Sequence, residues 1–362
     1  MISTIHFKNY RGFEDYRLSN LARVNLLVGK NNSGKSSVLE AVQILAAQGN
    51  PRVLARVAEQ RGEILAIGEG TNNFSPEISH FFYGHQFKSE SLLEIASDQP
   101  LGSITIQVVG LNKLDKKQLN LIEEELYFQQ RFYIGGDPDP SKVSMLRETM
   151  PRLESAIALK ISRDKDSHDN AAIPISTEGA FLIALNRLFP SWKWKEETAS
   201  VQVLTPESLE PRSMSLMWDQ VIAEGRETDV VTTMKILEPK LANIFFLSGE
   251  NAFRNGRSGI LVAFEDTKRR VPLGSLGDGM RRLLALALSL NRAQNGILLI
   301  DEIDTGLHHS VLGNLWLLIV HAARQYGIQV FATTHSLDCI RGLAWLCEQH
   351  PDLAGEVSIQ KL

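Results

Sequence analysis

The chain is poor in cysteine: Cys339 and Cys347 are the only two among 362 residues. Spaced as they are on what reads as one helix, they fit neither a disulfide framework nor a zinc knuckle, and they suit a reducing, cytoplasmic compartment. Long apolar runs are missing too. The richest, residues 283–290, follows Arg281-Arg282 and is broken by Asn291-Arg292, well short of the roughly 18 residues a membrane span needs. Met1-Ile2-Ser3-Thr4 does not lead from a basic segment into an apolar core, so no secretory leader is expected. A basic excess is absent: 38 Lys+Arg stand against 42 Asp+Glu, a formal charge of −4. Dedicated duplex-DNA binders are often basic, so the balance gives DNA binding no support. Aromatic content of 7% offers no stacking platform for single strands. Residues 110–270 contain Pro138, Pro140, Pro151, Pro174, Pro190, Pro206, Pro211 and Pro239, which excludes a long heptad-repeat arm. No internal repeat or low-complexity tract stands out. The small basic groups (Arg52 with Arg56, Lys113 with Lys116 and Lys117, and Lys268-Arg269-Arg270) read as solvated surface.

What is present is ordinary in bulk. Hydrophobic residues make up 43% and charged residues 22%, globular values with room for one elaborated domain or two closely packed ones. Locally the chain is far from ordinary. Gly29-Lys30-Asn31-Asn32-Ser33-Gly34-Lys35-Ser36 satisfies G-x-x-x-x-G-K-[ST] at every specified position. The apolar run Val24-Asn25-Leu26-Leu27-Val28 leads into it, and a helical pattern from Ser37 leads out. A strand–glycine loop–helix unit turns successive N–H groups, and the positive end of a helix dipole, toward one anion. Composition alone would produce such a match in roughly one chain in a hundred of this length; the flanking strand and helix make coincidence rarer still. Residues 29–37 therefore read as a nucleotide-phosphate cradle. Lys35 reaches the outer phosphates and the Ser36 hydroxyl ligates magnesium.

Far downstream, Ile297-Leu298-Leu299-Ile300-Asp301-Glu302 is an apolar run ending in two acids, as a buried parallel strand does where it opens into a site. Asp301 is placed to hold magnesium and Glu302 to polarise an attacking water. A further apolar strand, Val330-Phe331-Ala332-Thr333-Thr334, ends on His335-Ser336, near the same phosphates if the two strands are neighbours. Just before the acidic strand, Ser275-Leu276-Gly277-Asp278-Gly279-Met280-Arg281-Arg282 opens a helix with a second set of free N–H donors.

The coarse pattern predicts strands over 2–8 and 23–28 around a turn at Gly12, and a helix from Ser37 to about Gly49-Asn50-Pro51. A loop is predicted over 62–75, followed by antiparallel strands over 92–96 and 103–109. A break falls at 135–140. Strands are predicted over 155–161 and 171–175 on either side of a polar tract, a helix over 214–241, and strands over 243–248 and 259–264. After Pro272 the order is helix–strand–helix–strand–helix, which argues a parallel, helix-flanked sheet.

Together the opening Ile5-His6-Phe7-Lys8-Asn9-Tyr10-Arg11-Gly12-Phe13, the phosphate loop, the signature at 276–282, Asp301-Glu302, Asp304-Thr305-Gly306-Leu307 and Thr334-His335-Ser336 resemble the ABC-type ATPase heads of the SMC, RecF and OLD families. The Thr-His-Ser ending and Gly-Asp-Gly signature look most like the OLD-related AAA ATPases, many of which sit in bacterial defence loci. The resemblance covers about the first 50 residues and the last 90. It implies an α/β P-loop NTPase fold of ABC-head type, with a mixed or parallel sheet, flanking helices, an antiparallel lobe and an α+β insertion. The expected division is 1–110, 111–258 and 259–362. ATP and Mg2+ are the implied ligands, and hydrolysis to ADP and phosphate the implied activity.

In such heads two ATPs lie between two subunits. Gly277, Asp278 and Gly279 would then act in trans, Asp304 would lie at the seam, His335 would sense the γ-phosphate, and Arg11 would join the nucleotide site. The chain departs from the usual signature in having Gly277 in place of serine and Asp278 in place of glycine. The stretch beyond His335 is far too short for a Toprim nuclease domain. Two readings follow: a nucleotide-gated switch that self-associates and controls a co-encoded effector such as a Toprim-type nuclease or toxin, or a RecF-like DNA-repair ATPase. A transporter ATPase subunit fits less well, because such subunits keep the phosphate loop and acidic strand closer together.

Overall fold

The computed structural model describes residues 1–66, 74–98, 100–120, 122, 157–163, 171–181, 200–205, 209–235, 238–247, 259–266 and 269–362. The break expected at 135–140, most of the polar tract after β-strand 157–163, and Lys268 lie outside these residues. In chain order the first elements are β1 (Ile5–Tyr10), β2 (Phe13–Leu18), β3 (Val24–Val28), α1 (Lys35–Ala46) and α2 (Pro51–Gln60). Next come β4 (Ile64–Ala66), β5 (Phe74–Pro76), β6 (Leu92–Ser97), β7 (Ser103–Gly110), β8 (Ile157–Arg163), β9 (Ala171–Ile175) and β10 (Val201–Leu204). Then follow α3 (Pro211–Ala223), α4 (Glu227–Lys235), β11 (Leu241–Phe246), β12 (Ile260–Phe264) and β13 (Val271–Pro272). The chain closes with α5 (Asp278–Arg292), β14 (Ile297–Ile300), α6 (Leu312–Gln325), β15 (Gln329–Thr334), α7 (Leu337–Gln349) and β16 (Val357–Lys361).

These elements form two interleaved units. One contains Met1, Asn20–Leu39 and Ala199–Leu362; the other contains Ile2–Ser19 and Glu40–Thr198. The expected boundaries at 110 and 258 do not coincide with these units, because the second unit's residues interrupt the first within α1.

The first unit is built on a five-stranded sheet in the order β10-β14-β15-β3-β16, every pair parallel. β14 and β15 are buried at every residue, as parallel strands covered on both faces must be. That is why they read as continuous apolar runs rather than alternations. Helices α3 to α7 contribute to one core with the sheet, among them Trp218, Leu284, Leu288, Trp316 and Leu343. Each such side chain, fully buried, contributes about 1.5–3 kcal/mol. The helix predicted over 214–241 is two helices: the chain breaks at Gly225, where φ is +66°, and Leu241 already belongs to β11.

The second unit carries a six-stranded antiparallel sheet in the order β2-β1-β6-β7-β8-β9. Here alternation is visible. In β1, Ile5 and Phe7 are buried while His6 and Lys8 are not, the pattern of a sheet with one solvated face. The loop predicted over 62–75 contains the paired β4 and β5. α2 starts where Asn50 accepts a hydrogen bond from the Arg52 N–H at 3.0 Å and Pro51 sets the first helical φ.

Arg11 organises this unit. Its side chain is 2% exposed and pairs with Glu40 at 2.7 Å and Glu63 at 2.6 Å. A second contact to Glu63 at 3.2 Å completes a fork, and the guanidinium lies 4.6 Å from the centre of the Phe81 ring. Removing one partner of a buried ion pair leaves uncompensated charge. Arg11→Ala strands two largely buried carboxylates and is expected to lower stability by about 3–5 kcal/mol, read as a shifted urea midpoint. A wild-type midpoint would show the pair to be energetically idle.

Candidate functional site

The sheet order of the first unit assembles the site. Parallel pairing aligns Val28 with Thr334 and Ala332 with Ile300, so β3, β15 and β14 all end at one edge. Ligands of open α/β sheets bind beyond such carboxyl ends. β3 there gives way to the glycine loop, and α1 begins at Lys35. The Lys35 Nζ donates to the carbonyls of Gly29 at 3.0 Å and Lys30 at 2.8 Å, curling over the loop. Gly29 cannot be larger: a Cβ there would lie 2.5 Å from the Ser33 hydroxyl and 2.9 Å from the Leu362 carbonyl oxygen. Ser37 is buried, while Asn31 and Asn32 are exposed at the mouth of the loop.

Ser36 and Asp301, 265 positions apart in sequence, meet. The Ser36 hydroxyl lies 3.2 and 3.3 Å from the two carboxylate oxygens of Asp301. One hydroxyl beside one carboxylate is a set of hard oxygen donors, the kind magnesium takes when substrate phosphates supply further ligands; the residues fit that ion. Among the described residues there is no group of three or more His, Cys, Asp or Glu side chains that could hold a metal without such help. Glu302 stands one residue further out, its side chain half exposed. It accepts from the Thr305 hydroxyl at 3.1 Å, and its other oxygen lies 3.8 Å from His335 Nδ1. Ser336 caps α7, its hydroxyl accepting from the Cys339 N–H at 3.4 Å, which fixes where His335 leaves the strand.

Residues 24–338 match the protein family described as "AAA domain, putative AbiEii toxin, Type IV TA system". The chain belongs to this AAA-domain family. It is a P-loop ATPase of the AAA kind. An ATP/GTP phosphatase of Helicobacter pylori is 22% identical to it over 356 residues, 94% of this chain and 86% of that protein. The DNA replication and repair protein RecF of Bacillus cytotoxicus is 29% identical over 137 residues, 36% of this chain and 35% of RecF. Among solved structures, an SMC head bound to the C-winged helix domain of ScpA aligns with a TM-score of 0.46 at 12% identity, over 94% of this chain and 91% of that one.

The opening of α5 accounts for the glycine at 277. Gly277 has φ +89° and ψ 168°, a backbone that serine would adopt only under strain. Asp278 is the first residue of α5, 83% exposed, with Arg281 3.5 Å away; an acid in the first turn also suits the helix dipole. Gly279 approaches the Gly306 carbonyl oxygen, at 3.4 Å from a Cβ built there. Asp304 accepts from the Thr334 hydroxyl at 2.6 Å. Arg11 is engaged by Glu40 and Glu63 as described above. Burial pushes the Cys339 thiol up to about 12, so it is inert at neutral pH. Among the described residues no helix is long and apolar enough to cross a membrane.

Three residues that were not singled out as site residues also reach the acidic segment: Arg282, Thr333 and Thr334. Thr334 belongs to the Thr-His-Ser ending, but nothing in the sequence said that its hydroxyl goes to Asp304. The available signal for Thr333 was two adjacent polar residues at the end of an otherwise apolar buried strand.

Proposed function

We propose that this ATPase binds ATP with magnesium through residues 29–37 and Asp301, hydrolyses it with Glu302 as the water-activating base, and works as a nucleotide-gated switch. The observation that carries this reading is the meeting of Ser36 with Asp301 at 3.2 Å, with Glu302 and His335 one step beyond. In this reading Lys35 exchanges the carbonyls of Gly29 and Lys30 for phosphate oxygens. Glu302, anchored by Thr305 and facing His335, takes the proton of the attacking water, and His335 lies where a γ-phosphate would be felt. Magnesium, when held by Ser36 and Asp301, supplies charge neutralisation on the phosphates. The biological setting we favour is anti-phage defence beside a separate effector such as a Toprim-type nuclease or toxin, in the manner of the OLD-related ATPases. A change of shape can control such an effector only through different contacts with the open and closed forms.

The N–H groups that open α5 at Gly277, Asp278 and Gly279 suit a neighbour's phosphate better than any group of their own subunit, with Asp304 at the seam. Self-association should therefore depend on ATP. Light scattering on Glu302→Gln is expected to give a larger mass with ATP than without; one monomeric mass under both conditions would refute the sandwich.

A RecF-like role in DNA repair is the second reading, favoured by the 137-residue similarity to RecF. ATP turnover measured with and without duplex DNA separates the two. The switch predicts no stimulation, and the repair enzyme predicts stimulation that fades steeply with salt.

A further inference from the structure

The peptide joining Asp301 to Glu302 is held from two sides, by a threonine that belongs to no nucleotide motif and by the last arginine of the signature segment. Thr333, fully buried near the end of β15, donates its hydroxyl proton to Asp301 Oδ1 at 2.6 Å. The Thr333 hydroxyl oxygen in turn accepts the Glu302 N–H at 2.8 Å. A hydroxyl has one proton and two lone pairs, so this one is directed by both neighbours at once. On the other side Arg282, 5% exposed, donates to the Asp301 carbonyl at 3.1 Å and to the Glu302 carbonyl. Burial works against the Arg282 charge, and Asp304, Glu302 and Asp301 work for it.

Glu302 needs such support. Its φ is +48°, in the left-handed region that a side chain other than glycine rarely adopts. Backbone of this kind persists where surrounding contacts over-determine it. Here the N–H of Glu302 is fixed by Thr333, its carbonyl by Arg282, and the next N–H, of Ile303, by the Thr333 carbonyl at 3.0 Å. The turn keeps Asp301 on Ser36 while sending the Glu302 carboxylate off the strand line into solvent beside His335.

We propose that Thr333 and Arg282 are positioning residues, a buried clamp that holds the Asp301–Glu302 peptide so that Asp301 meets Ser36 and Glu302 is aimed for hydrolysis. The clamp ties the acidic strand to the strand ending in His335 on one side and to the signature helix α5 on the other. It rests on the hydrolytic reading of Glu302 given above.

The test uses Thr333→Val, Thr333→Ser and Arg282→Lys in the full chain, with Glu302→Gln as reference. kcat and KM are measured at saturating magnesium, and ATP affinity by calorimetry. Thr333→Val keeps the branched shape but has no hydroxyl; Thr333→Ser keeps the hydroxyl. Thr333→Val is expected to bind ATP like the wild type and to lose about 10–100-fold in kcat, the range for removing an outer-shell partner. Thr333→Ser should recover most of that loss, and Arg282→Lys should lower kcat without weakening ATP binding. Wild-type kcat in Thr333→Val, equal losses in the valine and serine variants, or a loss confined to KM would each overturn the clamp. Should Thr333→Val fail to bind ATP through misfolding, Arg282→Lys decides: a lowered kcat at unchanged affinity supports the clamp, and wild-type kcat refutes it. If Glu302→Gln hydrolyses normally, the reading of Glu302 fails first. If Glu302→Gln is inactive while Thr333→Val is normal, only the clamp fails.

Discussion

Lys35→Ala should weaken ATP binding by about 3 kcal/mol or more, on the order of a hundredfold or more in Kd. Lys35 is the first residue of α1, at the helix end that already favours anions. Its ammonium stands over the loop, bonded to the Gly29 and Lys30 carbonyls, so it is organised before any phosphate arrives. Alanine would leave the loop's N–H groups and the helix dipole in place but remove the ammonium that is folded over the loop. The fold should survive, because Lys35 is only partly buried and its bonds run to loop carbonyls that water can serve. Isothermal calorimetry with ATP and magnesium is the measurement. Wild-type affinity would mean that residues 29–37 do not hold the phosphates.

Glu302→Gln should leave ATP binding nearly intact while turnover falls by about 10²–10⁴-fold, the usual worth of a positioned general base. Glutamine preserves the length of the side chain and can still accept from Thr305, so the turn at φ +48° need not change. What it loses is basicity: an amide cannot take the proton of an attacking water. Because Asp301 rather than Glu302 meets Ser36, nucleotide retention and hydrolysis should separate in this variant. Single-turnover phosphate release, with nucleotide dissociation followed in parallel, reads both quantities. Wild-type release would place the base elsewhere. Loss of ATP binding would show that Glu302 is part of the binding site.

Much of the first unit was legible because its signals are local. The glycine loop after β3 is set by backbone geometry over eight residues. The alternation of α5, β14, α6, β15 and α7 shows in apolar period and length. β10 was not legible: four residues, Val201–Leu204, carry too little pattern to announce that they pair in parallel with β14. The helix predicted over 214–241 ran past Gly225 because apolar spacing continues across the break, and only packing shows where α3 ends. In the second unit, the opening Ile5 to Phe13 segment was recognised, but the hairpin of β1 with β2 was not, since β2 (Phe13–Leu18) is mostly polar on its exposed face.

The sequence by itself determined the phosphate loop, the acid-ended strand, the histidine-ended strand and the family, because each is a short run whose residue types are dictated by the backbone shape they must adopt. Only the tertiary structure decided which of these runs meet. Ser36 reaches Asp301 because β15 lies between β14 and β3, an order completed when β15 pairs with a strand near the start of the chain. Arg11 goes to Glu40 and Glu63 because burying its charge demands counter-charges, which the fold supplies from residues without a shared motif. Gly277 turns its backbone through φ +89°, and a dihedral angle is not written in residue spacing. The same holds for Thr333 and Arg282: a hydroxyl and a guanidinium acquire a role from the N–H and carbonyl groups that folding brings against them.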